Sequence, residues 1–182
     1  MNEKIILGID PGTNIMGFGL INCSQSKIKL IQYGIISLIK ESSHQIKLKK
    51  IFEKITELIK EYKPDEIAIE APFFGKNVQS MLKLGRAQGV AMAAGLRKEI
   101  PVFEYAPKKI KQSITGNGNA SKEQLAGFLM NFLDFEHKNK NKFDATDALG
   151  TALCHHFQSN ISLKKTSTWK QFLIKNKSRI IT

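Results

Sequence analysis

The run from Lys4 to Asp10, Lys-Ile-Ile-Leu-Gly-Ile-Asp, is short, rich in β-branched residues and apolar on both sides. Ile5, Leu7 and Ile9 share one face of a strand, while Ile6, Gly8 and Asp10 share the other. A strand apolar on both faces belongs in the middle of a sheet covered by helices on each side. Pro11-Gly12-Thr13-Asn14 supplies a turn, and Gly17 to Asn22 and Lys29 to Ser37 read as two further strands joined at Ser24-Gln25-Ser26, an opening antiparallel meander. From Gln45 to Tyr62 the residues Leu48, Ile51, Phe52, Ile55, Leu58 and Ile59 recur at helical spacing between lysines and glutamates. Pro64-Asp65 ends that helix, and Glu66 to Glu70 follows as a strand.

Asn77 to Glu99 has a helical pattern whose small residues Gly85, Gly89 and Ala93 recur every four positions. Two readings stand: tight packing onto the sheet, or a helix-to-helix contact between two copies of the chain. Pro101 to Ala106 is a fifth strand, and Pro107 to Ile114 a short basic helix stopped at Gly116-Asn117-Gly118. Ser121 with Gln124 forms a capping box for a helix to about Asp134. Past a polar loop at His137 to Lys142, a last helix carries Asp144, Asp147, Leu149, Ala152, Leu153 and His156. The expectation is an α/β protein: a mixed five-stranded sheet flanked by helices.

With 182 residues, of which 42% are hydrophobic, the chain can bury one good core. We therefore expect one domain over residues 1–158, followed by a basic, partly ordered extension over residues 159–182 containing Lys164, Lys165, Lys170, Lys175, Lys177 and Arg179. Cys23 and Cys154 form neither a CxxC pair nor a disulfide framework. No secretory signal pattern and no apolar run of membrane-spanning length occurs. These features predict a cytoplasmic protein with no membrane partner. The formal net charge of +12 favours a polyanionic partner.

Against that charge, four acids stand where a metal-dependent nuclease needs them. Asp10 and Glu70 end apolar strands, and Asp144 and Asp147 lie three apart on a helix, their β-carbons roughly 5 to 6 Å from each other. Oxygen ligands of this kind suit a hard cation. Each acid also has a plainer explanation: a turn residue for Asp10 and likewise for Glu70, a helix cap or dipole charge for Asp144 and Asp147. Their joint occurrence favours metal chemistry, because clustered acids repel DNA unless divalent cations bridge them to phosphate. His155 and His156 are helical neighbours pointing apart, one expected in the core and one at the surface, so they do not share a metal.

Six blocks then occur in order: Ile-Leu-Gly-Ile-Asp10-Pro-Gly-Thr, Ala-Ile-Glu70 with Phe73-Phe74-Gly-Lys76-Asn77, Leu84-Gly85-Arg86-Ala87-Gln88-Gly89-Val90, Pro101-Val-Phe-Glu-Tyr-Ala-Pro107, Lys111-Gln112, and Asp144-Ala-Thr-Asp147-Ala-Leu149. Together they resemble the RuvC family of Holliday junction resolvases. The resemblance implies an RNase H-like fold, a homodimer, and magnesium-dependent nicking of two opposed strands of a four-way DNA junction to 5′-phosphate and 3′-hydroxyl ends. It assigns Asp10, Glu70, Asp144 and Asp147 to catalysis and to binding Mg2+, two ions per site, with Mn2+ able to substitute. It implies DNA contacts from Phe73, Lys111 and Lys122. Two adjacent phenylalanines are awkward to bury together, so we expect Phe73 to stack on a base with Phe74 as its support, beside Lys76 and Asn77 as further DNA-contact candidates. Core packing is the alternative for a phenylalanine, and a solvated helix face that for Lys111. A branch-migration motor complex of the RuvA and RuvB type is a further implied partner.

Three other functions compete. Asp10-Pro-Gly-Thr13 with Gly17 and Gly19 also resembles the first phosphate loop of actin-like kinases and chaperone ATPases, but those folds close two lobes on the nucleotide and this chain has room for one. A non-catalytic module for branched nucleic acid fits the charge but leaves the four acids without a purpose. An RNase H-like nuclease acting on RNA fits composition equally well.

Overall fold

The computed structural model describes residues 3–24, 27–72, 77–135 and 143–164, with side chains as far as 159. The elements are β1 (Lys4–Asp10), β2 (Ile15–Cys23), β3 (Ile28–Ser37), α1 (His44–Tyr62), β4 (Glu66–Glu70), α2 (Val78–Leu96), β5 (Val102–Tyr105), α3 (Pro107–Thr115), α4 (Lys122–Leu133) and α5 (Asp144–Lys164). The strands form one sheet in the order β3-β2-β1-β4-β5. β1 pairs antiparallel with β2 and parallel with β4, so the sheet is mixed and β1 is its centre. As its pattern predicts, β1 is buried on both faces.

Leu7 and Ile9 of β1, with Ile67 and Ile69 of β4, face a cluster with Ile51, Ile55 and Ile59 of α1 and Ala87, Ala91 and Ala94 of α2. Ile6 and Ala68 face the other way, onto Ile110 of α3, Leu125 and Leu129 of α4, and Leu149, Ala152 and Leu153 of α5. Burial of these side chains stabilises the three layers by about 1.5 to 3 kcal/mol for each large one. α5 lies unusually close to the sheet. A Cβ on Gly8 would overlap the carbonyl oxygen of Ala148, and one on Gly17 would overlap that of Asp144. Glycine is needed at both positions for that approach.

Local chemistry sets the helix ends. Ser43 caps α1 by accepting from the Ile46 amide, and the capping box at Ser121 and Gln124 forms in both directions. α3 stops at Gly116, whose φ of 74° is left-handed. α5 continues to Lys164, past residue 158 where a separate extension is expected to begin, since neither proline nor glycine interrupts His156 to Lys164.

The small residues of α2 decide between the two readings of their spacing. They do not pack on the sheet: a Cβ on Gly85 or Gly89 would meet nothing within 4 Å, and Ala93 is exposed. The buried side of α2 is instead Ala87, Gln88, Ala91, Ala94 and Gly95. His155 is a core residue, and His156 is half-buried rather than at the surface. Among the described residues no helix is long and apolar enough to cross a membrane.

Candidate active site

Parallel pairing of β1 with β4, which puts Ile9 opposite Ile69, brings Asp10 and Glu70 to the same end of the sheet. Asp10 also pairs with Gly17 of β2, and Gly17 admits the first turn of α5 at Asp144. A cavity of about 260 Å³ opens there, lined by Asp10, Glu70 and Asp144, with Lys122, Pro72 and Leu84 around them. Asp147 lies one helical turn behind, its side chain 8% exposed, and its Oδ2 accepts from Lys122 Nζ at 2.5 Å.

The acids act on one another. Burial pushes the Asp10 carboxyl well above its usual range, and the charges of Glu70, Asp147 and Asp144 push it further against the pull of Lys122. Glu70 is pushed up to about 7, first by burial and then by Asp147, while Lys122 and Lys111 draw it down. Asp147 is raised by burial despite its Lys122 bond. Burial works against the Lys122 ammonium, but its bond to Asp147 and the charges of Asp147, Asp10 and Asp144 outweigh that and raise its pKa. Buried like charges of this sort need a cation to ionise together.

The donor set fits a hard divalent ion. Every candidate ligand is a carboxylate, and the mutual repulsion is what such an ion relieves. Among the described residues no three of the His, Cys, Asp and Glu side chains stand close enough to form a ready cage. Magnesium does not require one, since it commonly takes one or two carboxylates, substrate phosphate and water.

The remaining expected residues divide. Lys111 on α3 is half-buried and close enough for its charge to act on Glu70 and Asp147. Asn77 caps α2, its Oδ1 accepting from the Ser80 amide at 3.1 Å, so part of its role is structural. Phe73, Phe74 and Lys76 lie outside the described residues.

Two supports escaped the sequence reading. Gln88 of α2, 7% exposed, donates to the Glu104 carboxylate at 2.8 Å and to the Glu70 carbonyl at 3.4 Å, joining the ends of β4 and β5. A buried glutamine in an apolar helix face was the available signal. Second, Tyr105, paired with Glu70 across β4 and β5, bonds through its hydroxyl to His155 Nδ1 at 2.6 Å. His155 Nε2 meets Glu66, which also pairs with Lys4. Burial lowers the His155 pKa although Glu66 opposes it, and neutral His155 can accept at Nδ1 and donate at Nε2. The chain Lys4–Glu66–His155–Tyr105 ties β1, β4 and β5 to α5, and no local pattern announces it.

An RNase H-like sheet with acids at the ends of two adjacent parallel strands and in the first turns of the helix crossing them defines a nuclease of the RNase H-like class. The family model for crossover junction endodeoxyribonuclease RuvC matches residues 6–155. Crossover junction endodeoxyribonuclease RuvC of Cytophaga hutchinsonii is 59% identical over 99% of this chain and 90% of its own length. Its namesake in Bacteroides fragilis is 55% identical over 99% and 97%. Among solved structures, Thermus thermophilus RuvC in complex with a Holliday junction substrate matches with a TM-score of 0.80 and 26% identity, over 87% of this chain and 96% of that one. The chain belongs to the RuvC family of crossover junction endodeoxyribonucleases.

Proposed function

We propose that this protein resolves four-way DNA junctions by hydrolysing phosphodiester bonds in two opposed strands, with Asp10, Glu70, Asp144 and Asp147 as its catalytic and metal-binding acids. The observation that carries the reading is the convergence of these four acids, with burial and neighbouring charge holding Asp10, Glu70 and Asp147 above their usual range, in a chain of net charge +12. Family membership and the likeness to a junction-bound relative support the substrate. The family's nucleases are metal-dependent; magnesium, two ions per site with manganese as a substitute, is our assignment.

Bound there, such ions would activate water and neutralise the departing 3′-oxygen, leaving 5′-phosphate and 3′-hydroxyl ends. The protein supplies the rest. Asp10 and Glu70 are fixed by the sheet and Asp144 by the close approach of α5, so the acids hold their geometry without substrate. Lys122, bonded to Asp147, and Lys111 beside it bring positive charge to where phosphate charge develops. Phe73, Phe74, Lys76 and Asn77 complete the proposed DNA surface.

A second copy is the partner for α2. Val78, Leu82 and Leu96 are 65%, 50% and 57% exposed, and with Gly85, Gly89 and Ala93 they form one apolar stripe with helical spacing. Open glycines let another helix approach closely, and a two-fold pair would present two cutting centres to a two-fold junction. We further propose a cytoplasmic location, a nuclease domain over residues 1–158 with a basic extension after it, and a branch-migration motor of the RuvA and RuvB type as partner, the last on family resemblance.

The test is cleavage of a synthetic four-way junction beside a linear duplex, with magnesium or chelator, by wild type and Asp10→Asn. Paired, ligatable nicks on the junction alone are expected from wild type. Asp10→Asn should lose them while binding the junction as well or better, because a negative charge near phosphate is gone. Binding without nicking by wild type would indicate a non-catalytic module, and a preference for RNA an RNase H-like activity.

A further inference from the structure

Beside the four acids lies a second polar cavity that the hydrolytic reading does not use. It holds about 380 Å³ and lies where the Thr13–Asn14 turn meets the starts of α1 and α2. The same turn lines both cavities: Pro11 and Gly12 border the acids, while Thr13 and Asn14 border this one. α2 is likewise shared, with Leu84 at the acids and Lys83 here.

Its walls suit an anion. Ser42, Ser80, Lys47 and Lys83 line it, and neither α1 nor α2 has an acid in its first turn to compete for the helix amides. Lys47 Nζ donates to the Thr13 carbonyl at 2.9 Å and to Asn14 Oδ1 at 2.8 Å, which leaves one of its three donors for a ligand. Lys83 has no ion pair among the described residues. His44 also lines the cavity, and its Nε2 is buried with no hydrogen-bond partner among the described residues. The charges His44 feels are those of Arg86, Lys83 and Lys47. The one acid in the wall, Glu41, is bonded to Lys50 at 2.7 Å.

We propose that this cavity binds a backbone phosphate of the junction DNA, held by His44, Lys47 and Lys83 next to the catalytic centre. The inference rests on the resolvase reading for its ligand. Because the turn that forms this wall begins one residue after Asp10, a phosphate seated here sets the register of the strand against the acids. Lys83 and His44 are thus positioning residues: they fix where the strand lies and take no part in bond breaking.

The experiment uses the full chain and a fluorescent four-way junction, with affinity measured in chelator across a salt series and nicking measured in magnesium alongside. Lys83→Ala and His44→Ala are compared with Lys98→Ala, which removes an exposed charge from the turn just past the far end of α2. Lys83→Ala should weaken junction binding about five-fold and make the salt dependence shallower by about 0.9 in log–log slope, the value of one lost phosphate contact. His44→Ala should weaken binding in the same direction, and Lys98→Ala should stay within about two-fold of wild type. Wild-type affinity in both cavity variants, or an equal loss in Lys98→Ala, overturns the site while leaving the resolvase reading intact. Binding without nicking by wild type, with the cavity variants still weakened, sinks the cutting assignment and keeps the site. No junction binding by wild type removes both. Inorganic phosphate that shifts the His44 imidazole signals without competing with DNA would assign the cavity to free phosphate and overturn the DNA assignment.

Discussion

Asp10 and Glu70 show what a buried carboxylate costs and what relieves that cost. Glu70 is pushed from the usual 4.5 up to about 7 by burial and by Asp147, so without metal the native protein keeps its proton up to about pH 7. The stability this gives is complete below about pH 4.5 and is lost as pH rises through about 7. A divalent cation needs the ionised carboxylate, so its effect grows across the same window. The gain in melting temperature from saturating magnesium should be near zero at about pH 5 and several degrees at about pH 8. Nicking under saturating DNA should rise across the same interval. Equal magnesium shifts at both pH values would mean that Glu70 is not a ligand. The pairing of Lys122 with Asp147 belongs at this scale too, since it keeps one acid partnered before any ion arrives.

At the scale of elements, the approach of α5 to the sheet decides whether the acids meet at all. Gly17→Ala inserts a methyl group against the Asp144 carbonyl, and overpacking of that kind should cost about 2 to 3 kcal/mol in denaturant unfolding. Nicking should fall much further than stability, because the displaced turn carries Asp144. A Gly17→Ala variant with wild-type stability and activity would show that the close approach is dispensable. These elements also mark how far the chain could be read in advance. β1, β4, the periodicity of α1 and the capping box of α4 are written in short stretches of sequence, and the structure has them there. The contact face of α2 is not, because Gly85 and Gly89 fit a close sheet contact as well as a bare surface until the third dimension is known. The acids were each visible, yet Asp10 had a lesser reading as a turn residue and Asp144 taken alone a stronger one as a cap; the parallel register of β1 with β4 and the glycines under α5 are what bring them together. Gly17 and Gly19 resembled a nucleotide loop for the same reason: glycine marks close approach without saying what approaches. His155 and Glu66 stand 89 positions apart, beyond any local signal.

For the molecule as a whole, charge and symmetry remain. A net charge of +12 favours association with DNA over long range, while the acids of the proposed site repel phosphate unless cations offset them. The exposed stripe of α2 sets the proposed pairing of copies. Gly89→Glu places a charged side chain in open space, so the fold should be unaffected while sedimentation shifts from dimer to monomer. Paired nicks should then become single, unlinked ones. A Gly89→Glu protein that stays dimeric would move the interface to another surface.

The meeting of the first strand with the last helix also has a meaning in time. Asp10 leaves the ribosome well before Asp144 and Asp147, and until α5 is made nothing covers Gly8 and Gly17. A chain interrupted before α5 holds no complete set of the four acids.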